Sequence, residues 1–298
     1  MNKLTRARPG EDLFWLVMSG SGMKLYAFLG ALLALVKLGY RFKGVTGTSG
    51  GAVVASVLGK FWDPEKPEES VKAMIEVAKT IQPAKVLTFR WAVWEWMLSK
   101  VFRQGPKGPF KTANLLKEFR KHMPATIGEC KLPVRICGYQ VNLKSPVPIV
   151  FADAKTDLPL ATLGSMTLPV FDPTMYGPAM LQDGGWVRNF DIPDNETRVI
   201  GLYFGGAEDG PKEGVVTDPE KFSPVTDNID LIMRDIFGCI DDNMRRSIEE
   251  AEEEGVDLLK IELKTALDGF DFFASTEKIE IAINEGYESV MTRVAIVK

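Results

Sequence analysis

The chain's first apolar run, Leu13 to Met18, is continuous and of strand length, and the glycine-rich Ser19-Gly20-Ser21-Gly22 follows at once. A longer apolar run, Leu25 to Val36, lies between Lys24 and Lys37. A strand buried on both faces and a helix buried against a sheet both read as unbroken apolar stretches, and length separates them. The first run therefore predicts a strand. The second predicts a helix closed by Gly39 at its C′ position. Its twelve residues fall well short of the roughly 20 needed to span a bilayer.

Phe42 to Gly47 predicts the next strand, and Ala52 to Phe61 a helix rich in small residues. The order strand–helix–strand–helix predicts a parallel sheet covered on both faces. A polar, proline-containing break follows at 62–70, then a helix at 70–81. Lys131 to Leu143 and Val147 to Asp153 read as further strands of the sheet. A long polar loop starts at Gly205. Beyond it Ile229, Ile232, Met233, Ile236, Phe237, Ile240, Met244 and Ile248 recur at spacings of three and four, which predicts an amphipathic helix. The acidic run 249–255 reads as a solvated face. No internal repeat or domain boundary shows, so a single domain is expected over 1–298.

The composition is that of a globular protein with a substantial core: 45% of the 298 residues are hydrophobic and 26% charged. A formal net charge of −4 argues against a nucleic-acid partner, because phosphate recognition normally shows as a basic excess. Cys130, Cys137 and Cys239 form no C-x-x-C pair, and the chain's one histidine is His122. A metal site is therefore not expected, and a reducing, cytoplasmic compartment is the simplest setting. The basic N-terminus has no apolar stretch directly behind it, so a signal peptide is not expected.

Gly47-Thr48-Ser49-Gly50-Gly51 fits G-x-S-x-G and stands between a strand and a helix. A nucleophile elbow has this layout, because only small neighbours let the chain turn sharply enough to raise the serine hydroxyl. The competing reading is a glycine-rich turn whose Ser49 caps the helix. Ser19 to Lys24 follows a strand and precedes a helix, where backbone N–H groups meet an oxyanion. Neither phosphate-binding pattern fits there. Met23 separates Gly22 from Lys24, unlike a Walker loop, and the dinucleotide pattern begun at Gly20 ends on Leu25. For a base, His122 reads as a histidine at an exposed helix end. Asp183 stands on an Asp-Gly-Gly turn after an apolar stretch, and a carboxylate there can take the Ser49 proton directly; Asp-Gly-Gly is also an ordinary turn signal.

Taken in order, these motifs resemble those of the patatin-like phospholipases, lipid acyl hydrolases with a Ser-Asp dyad. The likeness covers about residues 13–290, with an insertion at about 60–130 left unplaced. It includes the small-residue and proline approach to Asp183, Asn189 downstream, and a closing helix with Gly286-Tyr287. It implies a three-layer α/β/α patatin-like fold with a mostly parallel central sheet. By the resemblance Ser49 is the nucleophile and Asp183 the base. The N–H groups of Gly20, Ser21 and Gly22 form the oxyanion hole, Lys24 helps hold that loop, and Gly47, Gly51, Gly184 and Gly185 support the turns. The implied reaction is hydrolysis of carboxylic esters of glycerophospholipids through an acyl-serine, with no cofactor and no metal. A non-phospholipid esterase or acyltransferase and a non-catalytic lipid-binding protein are the alternatives.

Trp91, Trp94 and Trp96, beside Arg90 and Lys100, suit a membrane-surface contact, since tryptophan favours the headgroup boundary. A lid hinged at 103–109 is a second reading, and burial in the core or a subunit contact is the reading that its nearly all-round apolar surface favours. The expected partners are thus a phospholipid or other acyl-ester substrate and, transiently, a membrane surface, with the oligomeric state left open.

Overall fold

The computed structural model of the protein describes residues 13–81, 86, 88–89, 110–168, 171–205, 242–269, 271 and 274–297. In chain order its strands are β1 (Leu13–Met18), β2 (Arg41–Thr48), β3 (Thr88–Phe89), β4 (Phe110–Lys111), β5 (Val134–Gln140), β6 (Val147–Phe151), β7 (Thr174–Tyr176), β8 (Ala179–Asp183), β9 (Arg198–Phe204) and β10 (Asp257–Leu263). The helices are α1 (Leu25–Lys37), α2 (Gly50–Phe61), α3 (Pro67–Thr80), α4 (Ala113–His122), α5 (Leu158–Ser165), α6 (242–253) and α7 (Thr276–Val297).

β10, β9, β1, β2 and β5 lie side by side in that order, all parallel. β1 explains its own unbroken apolar run. Phe14, Leu16 and Met18 enter the main core with α1, α2, α3 and α7, while Trp15 and Val17 enter a second core with Phe190 and with Met244, Ile248 and Ala251 of α6. Successive strand side chains point to opposite faces, so a strand with a core on each side has no polar position to spare. Sheet and two helical layers make the α/β/α arrangement.

The sheet is mixed at its other end. β6 returns antiparallel along β5, β8 also pairs antiparallel with β5, and β7 pairs antiparallel with β8. The expected strands at Lys131–Leu143 and Val147–Asp153 are therefore present as a hairpin, because the short link between them has no room for a crossover helix.

Two helix ends follow from local chemistry. α1 closes on Gly39 at φ 93°, with Gly39 N–H donating to Val36 O and Tyr40 N–H to Leu35 O. α3 begins at Pro67, earlier than residue 70. Proline suits the first helical position, where its missing N–H costs nothing, and Glu68 and Glu69 complement the positive helix start. At the end of α6 and in the turn after it, Glu249, Glu250 and Glu252 to Glu254 are exposed, a solvated acidic face. The stretch 90–109, with Trp91, Trp94 and Trp96, lies outside the described residues, as do Cys239 and most of the helix expected at 229–248.

Candidate active site

β2 and β8 approach each other head on along one edge of β5. β2 ends with Thr48 beside Cys137, and β8, running the opposite way, ends with Asp183 beside Gly138, the next residue of β5. The other edge of β5 belongs to β6. Two strands whose ends lie well over a hundred residues apart in the chain thus finish within one residue of each other, and Ser49 Oγ donates to Asp183 Oδ2 at 2.6 Å.

Ser49 has φ 53° and ψ −119°, and is the one non-glycine with positive φ among the described residues. Such a backbone costs about 1–3 kcal/mol and persists only where its surroundings enforce it. The surroundings are tight. A Cβ on Gly47 would run into the backbone of Gly51, and one on Gly51 into the carbonyls of Met18 and Ser19. α2 starts at Gly50, with the N–H groups of Ala52 and Val53 donating to Ser49 O. The Ser49 side chain caps nothing; its hydroxyl is turned to Asp183. Its N–H donates to Ser165 Oγ at 2.9 Å, and Ser165 donates in turn to Cys137 O. Nothing in the local sequence around Ser165 points to that contact, because its partner is 116 residues away.

Asp183 is only 2% exposed. Burial raises its pKa to about 6, against the opposing pull of hydrogen bonds from Ser49 and from Gly185 N–H, the latter at 2.8 Å. A carboxylate at that value is a far better proton acceptor near neutrality than an ordinary aspartate. Gly184 lets the chain turn there, since a Cβ would strike Cys137 O. Asp183 N–H donates to Thr167 O at 2.9 Å.

The loop of Gly20, Ser21 and Gly22 lies over the elbow. A Cβ on Gly20 would stand 3.4 Å from that of Ser49, and a Cβ on Gly50 would meet Ser21 and Gly22. Met23 N–H, donating to Gly269 O at 2.8 Å, and Lys24 N–H, donating to Ser21 O at 3.1 Å, fix the loop's exit. Lys24 Nζ sits over the Phe204 ring, 5.6 Å from its centroid. Gly20 departs from the expected role. Its N–H donates to the buried Asn189 Oδ1 at 2.7 Å, so it is engaged already. Among the described hydrogen bonds none takes the N–H of Ser21 or of Gly22.

The segment after Asp183 wraps the elbow. Thr48 Oγ1 donates to Arg188 O at 3.2 Å. Asp191, buried, accepts from Arg188 Nη1 at 2.9 Å and Arg135 Nη2 at 3.0 Å, tying this segment to β5. His122 ends α4 with Nε2 3.4 Å from Glu118 Oε2, and burial followed by the Lys121 charge lowers its pKa. The position a triad histidine would take beside Ser49 Oγ is filled by Asp183. Among the described residues no group of His, Cys, Asp and Glu is arranged to hold a metal, no helix is long and apolar enough to cross a membrane, and Cys130 and Cys137 are free thiols. A mixed-charge cavity between β10 and α7, lined by Lys260, Glu262, Lys264, Glu285 and Arg293, includes neither Ser49 nor Asp183.

The family model described as patatin-like phospholipase matches residues 16–194. Among solved structures, VipD from Legionella pneumophila is similar in fold, with a TM-score of 0.50 at 13% identity over 95% of this chain and 67% of VipD. The type III effector ExoU of Pseudomonas aeruginosa aligns with a TM-score of 0.46 at 16% identity, over 97% of this chain and 54% of ExoU. Human GIVD cytosolic phospholipase A2, bound to methyl gamma-linolenyl fluorophosphonate, aligns with a TM-score of 0.43 at 12% identity, over 96% of this chain and 58% of its own. The chain thus spans about two thirds of VipD's length and little more than half of the other two. No curated protein matches it.

Proposed function

Because the chain belongs to the patatin-like phospholipase family, we propose that it hydrolyses carboxylic esters of glycerophospholipids through an acyl-Ser49 intermediate, with Asp183 as the base. The observation that carries this reading is the 2.6 Å hydrogen bond from Ser49 Oγ to a buried carboxylate, made by a serine held at positive φ. Strain and burial are both costly, and functional sites are where such costs collect.

In the forward step Asp183 Oδ2 takes the Ser49 hydroxyl proton while Oγ attacks the ester carbonyl carbon. The negative charge goes to the carbonyl oxygen, and the N–H groups of Ser21 and Gly22 are the donors left to receive it. Collapse of the tetrahedral intermediate breaks the bond to the glycerol oxygen, which leaves with the proton held by Asp183. Water then gives its proton to Asp183 and attacks the acyl carbon. Release of the fatty acid returns the proton to Ser49 Oγ. Gly185 N–H stays on Asp183 Oδ1 throughout, keeping Oδ2 aimed at the nucleophile. Lys24 and Gly20 shape the loop, and Gly47, Gly51 and Gly184 provide the close approaches.

The test is fatty-acid release from mixed phospholipid vesicles by the full chain and by Ser49→Ala, Asp183→Asn and His122→Gln. The expected result is release by the wild type and His122→Gln, and loss of a thousandfold or more in the other two while both remain folded. Release that survives in Asp183→Asn but not in His122→Gln would point to a histidine base. Turnover of short soluble esters without any release from vesicles would assign a different ester class to the same dyad.

A further inference from the structure

Ser49 can act only if its backbone stays in the strained conformer that turns Oγ toward Asp183, and the glycines merely permit that conformer. A separate group holds it. The Ser49 N–H is buried and donates to Ser165 Oγ, 2.9 Å away. Ser165, with no exposed surface, is the last residue of α5, and its own hydroxyl donates a hydrogen bond to Cys137 O. Cys137 is the β5 residue beside Thr48, and its neighbour Gly138 is the one beside Asp183. Two residues beyond Ser165, Thr167 O receives the Asp183 N–H at 2.9 Å. The short segment 165–167 therefore grips the backbones of both dyad residues and is itself fastened to the strand on which they meet.

On the reading of Ser49 and Asp183 as the dyad, we propose that Ser165 is a positioning residue for acyl transfer. Its hydroxyl locks Ser49 in the positive-φ conformer and thereby fixes the distance from Oγ to Asp183. Donor and acceptor roles are both needed. Oγ must accept from Ser49 N–H and donate to Cys137 O, and a hydroxyl does both in one atom. Alanine at this position leaves a buried N–H without a partner at the most strained residue of the site, and the strain is then relieved by rotating Ser49 away from Asp183.

The experiment compares wild type, Ser165→Ala, Ser165→Cys, Ser56→Ala and Ser49→Ala in the full chain, well below their melting temperatures. It reads kcat and KM on a soluble ester and the rate of covalent labelling by an alkyl fluorophosphonate. Ser56→Ala is the stability control. Its buried hydroxyl joins the same two helices, bonding Ala52 O at 2.8 Å and Thr162 Oγ1 at 2.7 Å, and takes no part in the site. The expected result is a kcat lowered about 10- to 100-fold in Ser165→Ala with KM within about twofold, a parallel fall in labelling rate, and a smaller loss in Ser165→Cys, whose thiol is a weaker partner. Ser56→Ala lowers the melting temperature and keeps kcat within about twofold. If Ser165→Ala fails to fold, Ser165→Cys decides. A folded Ser165 variant with wild-type kcat and labelling rate overturns the proposal, and so does an equal loss of kcat in Ser56→Ala. Hydrolysis persisting in Ser49→Ala would instead bring down the acyl-serine reading beneath it.

Discussion

Ser49 and Asp183 stand at the ends of two strands that run toward each other, and their side chains meet at 2.6 Å across 134 residues of chain. The meeting depends on β5, whose consecutive residues Cys137 and Gly138 receive the two strand ends on one edge. The carboxylate that meets Ser49 is thus fixed by a strand terminus rather than by a long side chain reaching across a cleft. Burial comes with it, and burial sets the chemistry of the carboxylate.

The pH profile follows directly. In the proposed mechanism Asp183 has to be ionised to take the Ser49 proton, and burial places its pKa at about 6. We expect kcat/KM on an uncharged soluble ester to rise about tenfold per pH unit below that value and to level off above it. A rate that stays flat between about pH 5 and 8 would mean that this carboxylate is not the base.

The same carboxylate makes the site costly to fold. Asp183 in the native state keeps its proton up to about pH 6, whereas in the unfolded chain it releases it near 3.9. The proton thus favours the folded state fully below about 3.9, and that advantage disappears as pH rises through 6, by an order of 3 kcal/mol at most. The carboxamide introduced by Asp183→Asn carries no charge at any of these values. That variant should therefore unfold at higher urea than the wild type at about pH 8 while being inactive, with the gap closing as pH falls toward 4. A variant less stable than wild type at both pH values would contradict the assigned cost.

How far the sequence reveals this site differs from residue to residue. Ser49 is legible because an elbow has to be written locally, as small residues between a strand and a helix. β1 and α1 are legible because burial on both sides leaves an unbroken apolar run. Asp183 is legible only through its turn, and its pairing with Ser49 comes from the family resemblance, since nothing local shows that β8 meets β2 head on. Ser165 is not legible at all: a serine at the end of an apolar helix looks the same whether or not a strained N–H lies beyond it. The Gly20 assignment changes for a related reason. A glycine-rich loop shows that N–H groups are available, but Asn189, which takes one of them, lies 169 residues away.

Gly20 and Asn189 should behave as a coupled pair. A Cβ on Gly20 would stand 2.6 Å from Asn189 Oδ1, closer than side chains tolerate, so Gly20→Ala must displace the carboxamide or the loop. Asn189→Ala should by itself free the Gly20 N–H and loosen the loop over Ser49, lowering kcat about 10- to 100-fold. Combining the two removes the clash along with the bond. The double variant should accordingly be no worse than the poorer single one, a departure from additivity of about 1 kcal/mol or more in activation free energy. Strictly multiplicative losses would show that the two residues act independently.

The last prediction concerns the helical layer that holds β1 and its loop in place. α1 and α7 cross so closely that a Cβ on Gly30 would strike the carbonyl of Ile283, and one on Gly286 the carbonyl of Ala27. Those obstacles are backbone atoms on two packed helices, and no side chain can swing aside to make room. Alanine would ordinarily favour a helix over glycine by about 1 kcal/mol, but here the added methyl has to push the helices apart. Overpacking of this kind costs about 1–3 kcal/mol and wins over propensity. Gly30→Ala and Gly286→Ala should each lower the urea midpoint with little change in KM, and the two together should cost less than their sum, because the helices need to separate only once. Stabilisation by either alanine would show that the helices sit farther apart than this packing requires.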